Sequence, residues 1–117
     1  MALRDLSGAV DFTVLERMTG GDDGITEEVL GLFVQQAAMW SPMLDVREDG
    51  WRDGVHTIRG AAAGIGADTL AAACQSAEAA DKAVAPPLLD RVRDALEIAL
   101  ADVAAYRHAL MLRSLRA

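Results

Sequence analysis

The sequence has few of the residues that mark secreted, membrane or nucleic-acid-binding proteins. It contains one cysteine, Cys74, so no disulfide can form within the chain and nothing indicates an oxidising compartment. No apolar run approaches the roughly 18 residues that a membrane span needs, and no apolar signal segment opens the chain. Basic residues are not clustered and the net charge is −7, which argues against binding to a phosphate backbone. We therefore expect a cytoplasmic protein that binds neither nucleic acid nor membranes.

Aromatic residues are also scarce, at 4% of the chain, and proline occurs three times, whereas hydrophobic residues make up 52%. Few aromatic and many alanine residues favour closely packed helices over strands. The 117 residues are enough for one core, so we predict a single domain over residues 1–117. The first fifty residues contain 3 basic and 10 acidic side chains. This acidic half is interpreted as a solvated surface, or as one that also selects a partner by charge.

Glycine and proline divide the sequence into five segments, each with helical periodicity. The first is short, at about 11–18, and the second covers about 23–46 with a predicted kink at Pro42. Asp49 and Asp68 are predicted to cap the third and fourth helices. The pattern predicts an all-α fold, an up-and-down antiparallel four-helix bundle with a short N-terminal cap helix.

The fifth helix is predicted to open at Pro87, a residue that suits a first helical turn. The predicted buried stripes of the four long helices are Leu30, Phe33, Ala37, Trp40 and Leu44; Val55, Ile58, Ala62 and Ile65; Leu70, Cys74 and Ala77; and Leu88, Val92, Leu96, Ala99, Val103, Tyr106 and Leu110. The methionines predicted to fill gaps in this core are Met18, Met39, Met43 and Met111.

The two histidines make the search for reactive side chains small. His56 lies off the apolar stripe of the third helix and is expected to face solvent. Gly60 costs on the order of 1 kcal/mol relative to Ala in a helix, and it leaves room beside the ring for something large. Arg59 can hold an anionic group there by charge-assisted hydrogen bonds. The residues that share the face of His56 are Arg52, Arg59, Gly60 and Ala63.

The run from His56 to Ala67 resembles the signature of histidine-containing phosphotransfer (HPt) domains. That signature has a basic residue three positions after the His, then Gly, two small residues and, ten positions after the His, a second Gly. Arg59, Gly60 and Gly66 occupy those positions. The resemblance continues in order along most of the chain, through Phe33, Pro42, Asp49, Gly50, Trp51, Leu70, Cys74 and Glu78.

The resemblance implies that His56 accepts a phosphoryl group from an aspartyl phosphate of a response-regulator receiver domain and passes it to another receiver. Arg59 would stabilise the phosphoryl charge and Gly60 would give the receiver access, while Arg52 and Ala63 would belong to the partner-binding surface. The chain offers no carboxylate cluster and no glycine-rich nucleotide loop, so Mg²⁺ is expected on the partner receiver and no cofactor or metal on this chain. The resemblance implies a monomeric phosphoryl carrier without autokinase activity, with a hybrid histidine kinase as a further partner.

The chain departs from the family pattern at a few positions. Ala61 and Ala62 stand where members often have Ser, so a hydroxyl contact is lost. Glu78 stands where some members have Gln, and a carboxylate repels a phosphoryl group. Glu78 therefore either points away from the site or weakens the phosphorylated state. Gln75, one turn earlier, is a possible substitute and is assigned to the partner-binding surface.

Other functions fit the sequence less well. A histidine-kinase dimerisation helix typically has an acidic residue after its His and a Pro one turn later, where this chain has Thr57 and Ala61. His108 has no Gly or basic residue arranged around it as His56 has, and it is interpreted as structural or surface. Two histidines in separate helices do not make a metal site. A non-catalytic adaptor that binds receivers without accepting phosphate stays open as the alternative.

Overall fold

The computed structural model describes residues 6–116, and over these the chain is all-helical, as predicted. Within that range none of the helices is long and apolar enough to cross a membrane. The single-domain prediction also covers 1–5 and 117, which lie outside the described residues. The elements are α1 (Phe12–Thr19), α2 (Asp23–Trp40), a short 3₁₀ helix (Ser41–Met43), α3 (Trp51–Ile65), α4 (Asp68–Ala79) and α5 (Ala85–Arg116).

Helix α3 packs against both α2 and α4, and α5 packs against both α4 and α2. The short α1 lies against α2 and α3. Each long helix buries one apolar stripe, because residues three and four apart share a helix face. The stripe residues of α3 and α4 are those predicted: Val55, Ile58, Ala62, Ile65, Leu70, Cys74 and Ala77. These stripes fix the faces that α3 and α4 turn outward.

Proline ends α2 instead of kinking it. The predicted helix over 23–46 stops at Trp40, and Pro42 lies in the first turn of the 3₁₀ helix that follows. Proline has no backbone N–H, and its ring clashes with the carbonyl four residues earlier, so an α-helix cannot continue without cost. Leu44 still reaches the core and is 0% exposed, although it no longer belongs to α2.

Neither predicted aspartate cap is present at the start of α3 or α4. Gly50 occupies the cap position of α3, and the backbone N–H of Trp51 bonds to the carbonyl of Glu48. The turn before α3 thus supplies the acceptor that the Asp49 side chain was predicted to supply. In α4 the cap position is Ala67, and Asp68 is the first helical residue. A negative charge there interacts favourably with the positive end of the helix dipole.

Helix α5 begins at Ala85, two residues before the predicted start at Pro87. Its buried stripe begins with Ala85, which is 0% exposed, and Leu89, which is 1% exposed, whereas Leu88 is only partly buried. The stripe from Leu89 alternates steps of three and four residues, whereas a start at Leu88 needs two steps of four in succession and drifts off the face.

The prediction that methionines fill the core is wrong for three of the four residues. Met18 and Met39 each lie one residue before the end of their helix, and Met111 follows the buried Leu110 by one residue, which places it off the buried stripe. The exposed residues are Met18 (66%), Met39 (65%) and Met111 (51%), while Met43 is partly buried.

Gly66 ends α3 in a left-handed conformation, with φ of 80°. Its carbonyl accepts a hydrogen bond of 2.8 Å from the backbone N–H of Asp11, which ties the segment before α1 to the turn between α3 and α4. A Cβ at Gly66 would lie 2.5 Å from the carbonyl oxygen of Asp11. Only glycine satisfies both the backbone angle and the close approach.

We expect Gly66→Ala to lower the free energy of unfolding by about 2–4 kcal/mol, because it combines left-handed strain with a steric clash. Urea denaturation followed by circular dichroism measures the change. The matched control is Gly60→Ala in the middle of α3, which should raise the same free energy by about 0.5–1 kcal/mol. Equal effects of the two substitutions would contradict this account of Gly66.

Candidate functional site

His56 lies in α3 with its ring turned away from the core. Its neighbour Val55 is 0% exposed and Ile58 is 1% exposed, so both hold this turn of the helix against the bundle. The His56 side chain is 62% exposed, as the helical spacing predicts. The core residues therefore determine the direction in which the imidazole points.

Glu78, from α4, contacts the imidazole directly. Its Oε1 lies 2.7 Å from Nδ1 of His56, so the first alternative from the sequence, that Glu78 points away, is wrong. A carboxylate can only accept a hydrogen bond, so the donor is the Nδ1–H of the ring. The neutral ring then has its lone pair on Nε2, the nitrogen that has no part in this bond.

Arg59 completes a cluster with these two side chains. Its Nε lies 3.3 Å from Oε2 of Glu78, and its Nη2 lies 3.3 Å from Nδ1 of His56. The Glu78 side chain is 27% exposed, and its Oε2 is buried without a hydrogen-bond partner, so the Arg59 charge is its compensation. The Arg59 side chain is 37% exposed at the edge of the cluster, where its guanidinium can also reach an incoming anion.

Arg52 contacts α4 from the turn of α3 that precedes His56. Its Nη1 donates a 2.7 Å hydrogen bond to the backbone carbonyl of Glu78. The last carbonyls of a helix have no intrahelical partner, and basic side chains commonly bind them. The guanidinium also lies 4.4 Å from the ring centroid of Trp51, a cation–π contact with a buried aromatic residue. Arg52 therefore links α3 to the C-terminal end of α4, where Glu78 lies.

Cys74 lies one turn before Glu78 and is fully buried. Burial and, to a smaller extent, the negative charge of Glu78 raise the pKa of its thiol to about 11, although the positive charge of Arg59 opposes the shift. The thiol is therefore neutral near pH 7 and adds no charge to the cluster.

The small residues predicted to give a partner access lie on an open surface. Gly60 is exposed, and no atom beyond its own helix backbone lies within 4 Å of the position of a Cβ there. Ala63 is exposed one turn further along α3. Gln75 is exposed on α4, but the side chain from α4 that holds the ring is Glu78. The partner-binding roles of Arg52, Ala63 and Gln75 stay predictions.

His108 is exposed on α5, beside Arg107, whose Nε lies 2.9 Å from Oε1 of Glu27. Residues 6–116 contain no group of three His, Cys, Asp or Glu side chains placed to hold a metal ion.

Comparison with known proteins decides the family. The model of the Hpt domain family matches residues 28–105. The chain belongs to the histidine-containing phosphotransfer family. It is similar to the crystal structure of the histidine phosphotransferase ShpA from Caulobacter crescentus, with 49% sequence identity and a TM-score of 0.82, over 92% of this chain and 99% of that one. None of the curated proteins matches it. The family and this likeness support phosphotransfer in two-component systems as the function.

The matched part of this HPt protein includes every residue of the cluster around His56. Sequence reasoning found His56 and Arg59 but left the place of Glu78 open. A signal was present, because Glu78 follows the buried Cys74 by four residues and Ala77 by one. That spacing places Glu78 at the border of the stripe that α4 turns toward its neighbours.

Proposed function

We propose that this HPt protein carries phosphoryl groups between aspartates of receiver domains through a phosphohistidine at His56. The observation that carries the proposal is the exposed imidazole whose Nδ1 is engaged by Glu78, since this leaves the lone pair of Nε2 free on an open surface. A partner's phosphoryl group can approach that nitrogen without displacing any core residue.

In the proposed step the lone pair of Nε2 forms a bond to phosphorus while the bond between phosphorus and the aspartyl oxygen breaks. The bonding electrons leave with the partner's carboxylate, and transfer to a second receiver runs the same step in reverse. Such transfers depend on positioning and on charge, with Mg²⁺ supplied here by the receiver domain. Arg59 supplies positive charge from this chain.

The proposal includes the architecture and the partner surface. The four long helices would run up and down as an antiparallel bundle, with α1 as a cap, which the packing order of the helices supports. A receiver would approach over Gly60 and Ala63, with Arg52 and Gln75 at the edges of its footprint. The protein would act as a monomer, and a hybrid histidine kinase is a further expected partner.

The test is direct phosphorylation. The protein is incubated with a receiver domain that carries radiolabelled aspartyl phosphate, and label on the chain that is acid-labile and base-stable identifies phosphohistidine. The adaptor alternative gives a complex with the receiver and no label on this chain. That outcome would overturn the proposed function.

Arg59→Ala is expected to slow transfer from a phosphorylated receiver about tenfold, because one charge-assisted contact in an exposed site contributes about 1.5 kcal/mol. Single-turnover kinetics with a rapid quench measure the rate. Arg59→Lys, which keeps the charge, should lose less. Arg91→Ala, an exposed arginine of α5, is the control and should transfer at the parental rate. An unchanged rate in Arg59→Ala would show that Arg59 pairs with Glu78 without contributing to transfer.

A further inference from the structure

We propose that Asp102 is a positioning residue that holds the segment 7–11 and, through it, keeps α1 in the place where a receiver docks. This role rests on the proposed function of His56 and belongs to a side chain of α5, outside the cluster around the ring. Asp102 is 1% exposed and lies among the buried residues of α5. Burial of a carboxylate is costly unless hydrogen bonds satisfy it, so the partners of Asp102 decide what it does.

The partners of Asp102 are backbone N–H groups of the segment 7–11. The N–H of Ser7 donates a hydrogen bond of 2.8 Å to Oδ1, and the N–H of Ala9 donates one of 3.1 Å to Oδ2. Gly8 lies between them in a left-handed conformation, with φ of 86°, which lets both groups point at one carboxylate. A segment outside the helices is poorly ordered unless contacts hold it. Asp102 therefore fixes this segment to α5.

The same segment leads directly into α1. Asp11 is the cap residue of α1, and its side chain accepts a hydrogen bond from the helix backbone. Helix α1 has only 8 residues, so its position depends on contacts with the rest of the protein. Tyr106, one turn after Asp102, supplies a second contact, because its ring stacks on Phe12 with 4.0 Å between the centroids. One face of α5 therefore holds both α1 and the segment before it.

Helix α1 forms one wall of a groove beside the proposed path of the receiver. Met18, which is 66% exposed on α1, lines this groove of about 220 Å³ together with Ala61 and Gly64 of α3 and apolar residues of α2. Ala61 and Gly64 follow Gly60 by one and four residues, so the groove is continuous with the surface over which a receiver is proposed to approach. A shift of α1 would move the Met18 wall. Asp102 acts on this groove from another helix, through the segment that it holds.

Release of the segment 7–11 would change the fraction of molecules that can dock and leave the chemistry at His56 unchanged. A receiver that binds only molecules with α1 in place has an apparent affinity reduced in proportion to that fraction. A saturating concentration of the receiver draws the population back to the binding state, so the maximal rate is retained. This behaviour distinguishes Asp102 from the residues around the ring, whose loss should slow the chemical step itself.

Hydrogen exchange of the unphosphorylated protein tests whether Asp102 holds the segment. In Asp102→Asn one of the two N–H groups faces an amide N–H in place of a carboxylate oxygen. Backbone amides in residues 7–19 should therefore exchange at least about tenfold faster than in the parent, while those in the core of α3 and α4 keep their rates. Asp94→Asn, at an exposed aspartate of α5, is the matched control. Parental exchange in residues 7–19 of Asp102→Asn would overturn the proposal.

Gly8→Ala releases the segment from its own side and decides the question if Asp102→Asn does not fold. A Cβ at Gly8 would meet no atom within 4 Å, so this substitution adds the strain of a left-handed alanine without a clash against the core. Amides in residues 7–19 should exchange faster in Gly8→Ala, as in Asp102→Asn. Parental exchange in Gly8→Ala would contradict the role of this turn.

Single-turnover transfer at varied receiver concentration tests the consequence for docking. The concentration that gives half the maximal rate should rise about tenfold in Asp102→Asn, as when one molecule in about ten keeps α1 in place, and the maximal rate should stay close to that of the parent. Labelling by phosphoramidate, a small donor that needs no docking surface, should keep the parental rate. Met18→Ala should raise the same concentration, and its combination with Asp102→Asn should give less than the product of the two effects, because both act on one wall.

The outcomes separate this role from the proposed function. An unchanged half-saturating concentration in Asp102→Asn, or a phosphoramidate rate that falls together with the receiver rate, would overturn the role of Asp102 in positioning α1. A parent that takes no label from either donor would refute the proposed function, and this role with it. Hydrogen exchange would still show whether Asp102 holds the segment 7–11.

Discussion

Phosphorylation is expected to disappear completely when His56 is replaced by Gln. The variant side chain has no nucleophilic nitrogen, and Arg59 cannot replace it because it is a permanent cation. A phosphoryl group on Glu78 would be an acyl phosphate, which the acid and base treatment distinguishes from phosphohistidine. Incubation with a labelled receiver, followed by acid and base treatment, measures the loss. His108→Gln is the matched control and should take label at the parental rate, since His108 lies exposed on α5 and not in this cluster.

The fold should survive His56→Gln. The side chain is 62% exposed and contacts only exposed or partly exposed groups, so the free energy of unfolding should change by no more than about 0.5 kcal/mol. Urea denaturation of the parent and the variant checks this. Label that persists on His56→Gln, or that moves to His108, would refute the assignment of the phosphoacceptor.

The helices and most of their buried faces could be predicted because core packing repeats with the helical period. Val55 and Ile58 are buried because residues three positions apart lie on the same face of a helix, and the same periodicity turns His56 outward. Helix ends are different, since several local arrangements satisfy the same backbone groups. Asp49 has the side chain of a cap, yet the carbonyl of Glu48 receives the Trp51 N–H. The spacing of residues cannot distinguish these two solutions.

In the candidate site, too, the arrangement within one helix could be predicted, whereas the contacts between helices could not. His56, Arg59 and Gly60 lie within one turn or so of a single helix, and their arrangement follows from the sequence spacing alone. The contact between His56 and Glu78 joins two helices, and its existence depends on how α3 and α4 pack. Arg52 bonds to a backbone carbonyl of α4, an acceptor that every residue offers. No residue type in the sequence marks that carbonyl as the partner.

Gly60→Leu is expected to block transfer from a receiver while leaving the protein folded. A leucine raises helix propensity by several tenths of a kcal/mol relative to glycine, and at Gly60 its Cβ meets no atom within 4 Å beyond its own helix backbone. The side chain instead projects from the surface one turn after His56, into the proposed footprint of the receiver. A clash that costs about 3 kcal/mol in the docked complex slows single-turnover transfer about a hundredfold or more.

Two controls separate docking from chemistry in this variant. Phosphoramidate should label Gly60→Leu at close to the parental rate, because the ring, Glu78 and Arg59 are unchanged and the small donor needs little room. Ala104→Leu adds the same side chain to an exposed position of α5 and should transfer normally with both donors. If Gly60→Leu unfolds, Gly60 faces another helix and the functional face is misplaced by about one helical position. If both donors label Gly60→Leu normally, the receiver does not approach over this turn, and the access role of Gly60 fails even though His56 remains the phosphoacceptor.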